Sequence, residues 1–269
     1  MNILLIGCGN LGSILLKKWS YSDQISQIVV VQPSLSKKSI FNNIDKITFV
    51  KSYEEISNCF IPNTVVIAIK PQQVSTVMPN YRIYSIHASF ISLCAGIDIK
   101  FLKTILGHTA KITRVMPNIA MSLGKSVNLC YMEEEIASEK QKVSTTFNNT
   151  GLIYWLQKEE IFDNLSPITG SGPAYFLSLA EELVKNTIEA GINEEDAIKL
   201  VSQTFIGSAK LLESTQNSIS NLISSITSRG GITQAALQVL DSHLPKAVSL
   251  CLKAAIERLK YLKEVDKNN

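Results

Sequence analysis

The chain has 269 residues, of which 45% are hydrophobic and 18% are charged, and its formal net charge at pH 7 is +3. That amount of apolar material excludes a disordered chain and is enough for one large core or two moderate ones. The small net charge, with no run of five or six like charges, excludes the usual electrostatic footprint of a nucleic-acid-binding protein but is compatible with a small anionic ligand.

Membrane insertion and metal binding are disfavoured as well. The first apolar stretch, residues 2–6, is far shorter than the roughly 18 apolar residues of a spanning helix, and it has no basic leader. The five cysteines form no CxxC pair and show no zinc-type spacing with the three histidines. We therefore expect a cytoplasmic protein whose thiols lie in a reducing compartment, without a membrane anchor or a metal site.

Short β-branched or aliphatic runs alternate with helical patterns through the first part of the chain. Strands are predicted at 3–6, 28–31, 65–69 and 90–94, and helices at 11–19, 53–58, 74–78 and 101–106. Continuous apolar strands between helices predict a parallel sheet covered on both faces, which is a doubly wound α/β domain. Further strands at 112–115, 127–132 and 152–156, with a helix over 134–147, are predicted at the far edge of this sheet.

The strand patterns stop near Glu159, and only helical patterns follow. Helices are predicted at 173–190, 194–213, 219–226 and 233–262, the last interrupted near Pro245, with a frayed tail from Lys263. Gly191 is placed as a helix C-cap and Asn193 as the next N-cap. These patterns predict two domains, an α/β domain over residues 1–158 and an all-α domain over residues 159–269.

A glycine-rich turn follows the first predicted strand and opens the first predicted helix. Its sequence is Gly7-Cys8-Gly9-Asn10-Leu11-Gly12. In this context Gly7 allows the tight turn, Gly9 lets a pyrophosphate approach the main chain, and Gly12 lets helix and strand pack closely. The pyrophosphate charge would rest on the helix N-terminus. The turn predicts a dinucleotide site, and a glycine-rich turn without a cofactor is the alternative.

The end of the second predicted strand indicates which dinucleotide binds. An NAD-selective site usually has an acid there, about 20 residues after the glycines, to accept from the ribose hydroxyls. Here the strand ends at Gln32 and Ser34, and Ser36, Lys37 and Lys38 follow. Hydroxyls and ammonium groups favour a 2′-phosphate, and therefore NADPH over NADH. NADH stays possible, because loop lysines are often only solvated.

Three more segments suggest ligand contacts. The strand at 65–69 ends in Lys70-Pro71-Gln72, where a lysine faces the crevice of a parallel sheet and a proline suits a first helical position. Glycine clusters at 169–175 and 227–233 each precede a predicted helix. The main-chain amides of the second cluster could bind a carboxylate. A solvated lysine and plain capping loops are the alternatives.

Six segments can be taken together. They are the turn at 7–12, Ala68-Ile69-Lys70-Pro71-Gln72, Ser92-Leu93-Cys94-Ala95-Gly96-Ile97, Arg114-Val115-Met116-Pro117-Asn118, the cluster at 169–175, and the glycine pair before Thr233. In this order, and nearly end to end, the chain resembles the pyrroline-5-carboxylate reductases, which form proline in the last step of its biosynthesis. The resemblance implies an α/β N-terminal Rossmann-type NAD(P)-binding domain followed by an all-α C-terminal dimerisation domain.

The fingerprint and the resemblance together imply two sets of site residues. The cofactor contacts are Ile6, Gly7, Cys8, Gly9, Asn10, Leu11, Gly12, Gln32, Ser34, Ala68, Ile69, Lys70, Pro71, Ala95 and Gly96. The substrate contacts are Glu159, Ser228, Gly230, Gly231, Ile232 and Thr233. The loop amides would receive the substrate carboxylate, and the Thr233 hydroxyl, the catalytic candidate, would meet the ring nitrogen. A threonine hydroxyl is a poor acid, so the expected proton source is water or an already protonated imine.

Four residues of the second half depart from the family pattern. They are Arg229 for proline, Ile232 for a small residue or threonine, Ser225 for an amide side chain, and Gln216 for glutamate. All four leave the cofactor assignment unchanged and concern the substrate side. They keep two alternatives open, a reductase of another cyclic imine or carbonyl compound and a dinucleotide-binding protein without turnover.

The helical half is apolar on more than one face. Examples are Leu177, Leu179 and Leu183 in one predicted helix and Val248 and Leu250 in another. Such surface would be unfavourable in water, so we expect a homodimer or a larger homo-oligomer.

Overall fold

The computed structural model describes residues 1–35, 37–134 and 136–267, with side chains described through residue 263. Within it the chain divides into two compact units. The first unit comprises Met1–Ser171 and the chain from Ala255 onward, and the second comprises Gly172–Ala254. None of the helices described combines the length and the apolar content needed to cross a lipid bilayer.

An eight-stranded sheet forms the centre of the first unit, as far as its residues are described. Its strands are β1 (Asn2–Ile6), β2 (Gln27–Val31), β3 (Ile47–Val50), β4 (Thr64–Ile67), β5 (Ser89–Ser92), β6 (Lys111–Met116), β7 (Ser126–Tyr131) and β8 (Gly151–Trp155). Their spatial order is β3-β2-β1-β4-β5-β6-β7-β8, and every neighbouring pair is parallel except β6 with β7. The order reverses at β1 and β4, where the crevice of such sheets lies.

Helices cover both faces of the central strands, whereas Leu152 and Tyr154 of the edge strand β8 are exposed. The helices are α1 (Asn10–Ser20), α2 (Val74–Val77), α3 (Ile99–Leu106) and α4 (Ala137–Thr146), followed by α5 (Glu159–Thr169). Because alternate residues of a strand face opposite sides, Leu4 packs in the core with α2 and α3, whereas Leu5 packs in the core with α1 and α4. The predicted doubly wound α/β domain is confirmed.

One strand and one α-helix of the first unit are absent from the sequence prediction. β3 has only four residues, and of these Val50 alone is buried, so its apolar pattern is too short to stand out. α5 contains Pro167 and ends at Gly170, which both look like helix breakers in a sequence. The helix predicted at 53–58 is wrong, because only a single 3-10 turn forms there, at Tyr53–Glu55.

Because of the position of α5, the boundary between the two compact units differs from the predicted domain boundary. Phe162 of α5 is buried against Met116 and Leu129 of the sheet, so this helix packs within the first unit. The compact units therefore divide after Ser171, whereas the sequence predicts a domain boundary at 158/159.

The second unit is built from helices, as predicted. It contains α6 (Gly172–Glu189), α7 (Glu194–Ser214), α8 (Ile219–Ser225) and the first part of α9 (Ile232–Lys267). Gly191 adopts a left-handed φ of 98°, and the Asn193 side chain accepts from the Asp196 amide at 3.0 Å, which confirms the predicted caps. Large apolar side chains on these helices are exposed in the single chain, among them Phe176, Leu177 and Leu200.

α9 is continuous, so the predicted interruption near Pro245 is wrong. A proline removes one helical hydrogen bond, to the carbonyl four residues earlier. That carbonyl belongs to Asp241, which is exposed and can be hydrated instead. The predicted fraying from Lys263 is wrong for the described residues, because α9 continues to Lys267 and the Lys263 ammonium donates to Asp163. Residues 268 and 269 lie outside the described part.

Candidate functional site

A cavity of about 650 Å³ lies at the carboxyl ends of β1, β2, β3 and β4, where the strand order reverses. It brings together nine of the fifteen predicted cofactor residues. These are Ile6, Gly7, Cys8, Gly9, Gln32, Ser34, Ala68, Ile69 and Lys70. The cavity is therefore the crevice in which open α/β sheets bind their ligands.

The glycine turn has the backbone geometry that its sequence predicts. Gly7 has a φ of +88°, and a Cβ there would lie 2.7 Å from the Ala68 carbonyl oxygen. A Cβ on Gly12 would lie 2.7 Å from the Gly7 carbonyl oxygen, so this glycine is required where α1 packs against the turn. A Cβ on Gly9 would meet no atom within 4 Å, which leaves open space beside the main chain.

The start of α1 suits an anionic group. Asn10, Leu11 and Gly12 form its first turn, and the amides of a first turn have no partner within the helix. No side chain caps this end and no acidic residue lies in the first turn. The open space at Gly9 and these amides fit a dinucleotide pyrophosphate.

Pro71 begins the 3-10 turn after β4, as its sequence position predicts.

Side chains of the loop after β2 organise the glycine turn. The Cys8 amide donates to Gln32 Oε1 at 2.7 Å, and Gln32 Nε2 donates to Ser34 Oγ at 3.0 Å. Lys37 Nζ donates to the Gly9 carbonyl oxygen at 2.9 Å and to Ser13 Oγ at 2.8 Å. Neither Lys37 nor Lys38 lines the cavity, and Ser36 lies outside the described residues. Contact of these lysines with a 2′-phosphate stays a prediction.

Ala95 and Gly96 follow β5 and do not line the cavity. Gly96 has a φ of +79°, and a Cβ there would lie 3.5 Å from both the Leu259 carbonyl oxygen and Lys263 Cγ. The C-terminal turns of α9, which belong to the first unit, therefore pack over this loop.

Glu159 belongs to a buried ionic cluster that the sequence analysis misses. Arg114 is 1% exposed. Its Nη1 lies 2.8 Å from Glu159 Oε1, and its Nη2 lies 2.8 Å from Asp163 Oδ1. Its guanidinium also lies 4.2 Å from the centre of the Phe162 ring. The cluster fixes α5 against β6.

Glu159 also fixes the start of α3, because its Oε1 accepts from the Ile99 amide at 3.0 Å. Asp163, in turn, accepts from Lys263 of α9. The carboxylate of Glu159 thus has structural partners within the first unit. Its contact with a substrate stays a prediction.

The other predicted substrate residues share one turn of the second unit. Gly230 has a φ of +70°, and its amide donates to Gln234 Oε1 at 2.6 Å. A Cβ on Gly231 would lie 2.3 Å from Ser228 Oγ, so that hydroxyl covers the glycine. Ile232, 91% exposed, and the half-buried Thr233 begin α9. The turn leads into the long helix α9, and its contact with a substrate stays a prediction.

Several cavity residues escape the sequence analysis. They are Val31 and Pro33 in the β2 end, Lys51, Ser52, Tyr53 and Glu54 after β3, and Gln73, Thr76, Val77, Asn80 and Tyr81 after β4. The available signal was the run Ile47–Val50, whose β-branched and aromatic residues favour a strand. Recognising that strand would have placed Lys51 at the crevice edge.

Two family models match the two halves of the chain. Residues 159–262 match the model described as pyrroline-5-carboxylate reductase dimerisation, and residues 2–96 match the model described as NADP oxidoreductase, coenzyme F420-dependent. The second match coincides with β1 to β5 and the loop that follows them.

Relatives align along most of the chain. The pyrroline-5-carboxylate reductase of Haemophilus influenzae is 29% identical over 261 residues, which cover 95% of each chain. Pyrroline-5-carboxylate reductase 1 of Bacillus spizizenii is 30% identical over 205 residues, covering 75% of this chain and 69% of the relative. The crystal structure of Plasmodium falciparum pyrroline carboxylate reductase with NADP bound is 27% identical, has a TM-score of 0.87, and covers 98% of each chain. This chain belongs to the pyrroline-5-carboxylate reductase family.

Proposed function

We propose that the protein catalyses the NADPH-dependent reduction of 1-pyrroline-5-carboxylate to L-proline, the last step of proline biosynthesis. The observation that best supports this is a dinucleotide crevice of the expected geometry in a chain that aligns end to end with named members of the family. The NADP-bound Plasmodium structure supports the choice of cofactor. The absence of an acid at Gln32 and Ser34 supports it independently.

NADPH, when bound, supplies a hydride to the imine carbon. The residues of the chain bind and orient it. The first-turn amides of α1 hold the pyrophosphate, and Gly9 leaves room for it. Gln32 and Ser34, which line the cavity, would bind the ribose end. Lys70 and Pro71 after β4, with the loop at Ala95 and Gly96 after β5, would bind farther along the carboxyl edge of the sheet.

The turn before α9 binds the substrate. The amides of Gly230, Gly231 and Ile232 receive its carboxylate, and the neighbouring Arg229 adds positive charge. The Gly230 amide donates to Gln234 Oε1 at 2.6 Å and the Gly231 amide donates to the Ser228 carbonyl oxygen at 3.1 Å, so a carboxylate must replace both partners. Thr233 orients the ring nitrogen, and one proton from water or from the protonated imine completes the reduction of imine to amine.

The protein acts as a homodimer or a larger homo-oligomer. The match of residues 159–262 to a dimerisation model supports this. The exposed apolar side chains of α6 to α9 support it as well, because a single chain leaves them in water. A cytoplasmic location is also proposed, and the cysteine spacing supports it, because the five cysteines show no pattern typical of a secreted disulfide framework.

An initial-rate assay with the purified protein tests the function. We expect consumption of NADPH on addition of 1-pyrroline-5-carboxylate, with a lower kcat/KM for NADH. NADPH consumption only with a different cyclic imine or a carbonyl compound would assign the protein to another reductase class. Tight NADPH binding with no turnover of any imine would make it a non-catalytic dinucleotide-binding protein.

A further inference from the structure

We infer that the adenosine 2′-phosphate end of NADPH is recognised by Lys51 and Tyr53, which follow the edge strand β3. Lys51 meets the 2′-phosphate and Tyr53 supports the adenine ring. This inference rests on the proposed cofactor and deepens it, because it names the residues that set its selectivity. It also assigns a role to a segment that sequence patterns did not connect with the cofactor.

The sheet places Lys51 beside the ribose end of the crevice. β3 pairs in parallel with β2, with Val50 opposite Val31 and the Gln32 amide donating to the Val50 carbonyl oxygen at 2.9 Å. The next residues along the two strands, Gln32 and Lys51, are therefore neighbours. Both line the same cavity as the glycine turn, whereas none of the described residues after β5 lines it. The cavity is thus the adenosine half of the cofactor crevice.

Lys51 is the cation best placed for a phosphate there. Its amide donates to Glu55 Oε2 at 2.9 Å, which fixes the turn, and within the described residues no carboxylate lies close enough to form an ion pair with its ammonium. Lys37, by contrast, does not line the cavity, and its ammonium donates to the Gly9 carbonyl oxygen and to Ser13 Oγ. A phosphate can therefore recruit Lys51 without breaking an existing ion pair.

A carboxylate of the same cavity has the opposite preference. Glu54 lines the cavity, and a hydrogen bond from Ser52 lowers its pKa, so it is ionised at neutral pH. A carboxylate repels a 2′-phosphate and accepts from a 2′-hydroxyl. Lys51 and Glu54 therefore bias the cavity toward NADPH and NADH respectively. At the end of β2, Gln32 and Ser34 add no second carboxylate to that of Glu54.

Tyr53 supplies a fixed aromatic surface. Its half-buried ring meets Tyr81 edge-to-face, with ring centres 5.2 Å apart at 82°, and Tyr84 at 6.4 Å and 66°. Tyr81 is buried, and that burial raises its pKa, so it stays a neutral packing partner. A ring held by its neighbours at the cavity wall suits stacking on a purine, which is largely independent of the phosphate.

Direct binding measurements separate the two contributions. The dissociation constants of NADPH, NADH, 2′,5′-ADP and 5′-AMP would be measured by titration calorimetry on the full-length protein. Lys51→Gln should weaken NADPH and 2′,5′-ADP on the order of 10-fold and leave NADH and 5′-AMP within about 2-fold. Lys100→Gln, the same change at an exposed position of α3 outside the cavity, should alter none of them. Equal weakening of NADPH and NADH by Lys51→Gln, or loss of selectivity only in Lys37→Gln, would overturn the assignment of Lys51.

Removing the Tyr53 ring should raise the dissociation constants of all four ligands to a similar extent. Tyr53→Leu should weaken each of them about 5- to 100-fold, whereas Tyr53→Phe keeps the ring and should retain binding. If the leucine variant does not fold, Tyr53→Met provides the same comparison with a longer, more flexible side chain of similar volume. Unchanged binding in a folded leucine or methionine variant would refute the stacking role.

These titrations need no turnover, so they do not depend on the reaction. Lys51-dependent NADPH binding by a protein that leaves 1-pyrroline-5-carboxylate unreduced would refute the proposed function and support the inference. Normal proline formation by Lys51→Gln with unchanged cofactor selectivity would do the reverse.

Discussion

The cofactor crevice and the glycine-pair turn both place glycines at the start of a helix, but they are held in place differently. Gly7 and Gly12 are each confined by a main-chain oxygen that would lie 2.7 Å from an added Cβ, at the carboxyl end of the buried strand β1. Around Gly230 there is open space, and a side chain, Gln234, holds its amide. The first site is formed before a ligand arrives, whereas the second must exchange an internal partner for the ligand.

Disrupting the ionic cluster at Arg114 should have the largest effect, a loss of stability of the first unit. Arg114→Met leaves Glu159 and Asp163 without their buried partner, and breaking such a pair typically costs about 3–5 kcal/mol in the free energy of unfolding. Urea denaturation at fixed protein concentration measures it. Lys185→Met, which removes an exposed ion pair with Glu182, is the control and should change stability little. Similar stabilities for the two variants would show that the cluster does not hold the first unit together.

Two alanine substitutions in the glycine turn separate packing from ligand access. Gly12→Ala forces α1 away from the turn and should lower the free energy of unfolding by about 1–3 kcal/mol, with loss of NADPH binding. Gly9→Ala meets no protein atom, so it should leave stability unchanged and weaken NADPH only. Thermal unfolding and cofactor titration give both numbers. Normal NADPH affinity in Gly9→Ala would mean that the pyrophosphate does not approach this position.

The glycine-pair turn is tested through Thr233. Thr233→Val keeps the shape and deletes one hydrogen bond to the ring nitrogen, which is worth about 1–3 kcal/mol, so kcat/KM should fall on the order of 5- to 150-fold. NADPH affinity should stay the same, because the first unit binds the cofactor. Thr204→Val, at an exposed position of α7, is the matched control. A native rate in Thr233→Val would remove this residue from the mechanism, and collapse of NADPH binding would place it in the cofactor site or the fold.

The smallest expected effect concerns the ribose end. Gln32→Asp introduces a negative charge beside a 2′-phosphate and should weaken NADPH by about 10-fold relative to NADH. The ratio of the two dissociation constants measures it. An unchanged ratio would indicate that the phosphate lies farther from β2, toward Lys51.

Features formed by contiguous residues could be predicted from the sequence, whereas contacts between distant residues could not. The turn at Gly7 to Gly12 was predictable because its strand, its glycine spacing and the helix that follows are contiguous in the chain, although the residue that excludes a Cβ at Gly7 is the distant Ala68. The partners of Arg114 were not, because Glu159 and Asp163 are more than forty positions away in sequence. Lys51 and Tyr53 escaped because their strand, β3, is a four-residue edge strand with one buried residue. The hydrogen-bond partners of Lys37 could not be predicted from the loop sequence, because they lie on α1 and in the glycine turn.

The most direct test of the account is the stoichiometry of the reaction. Purified protein would be incubated with 1-pyrroline-5-carboxylate and limiting NADPH, and the L-proline formed would be compared with the NADP⁺ formed. We expect one proline for each NADPH consumed, with the dependence on Thr233 described above. NADPH consumption without proline, or binding without consumption, would contradict it.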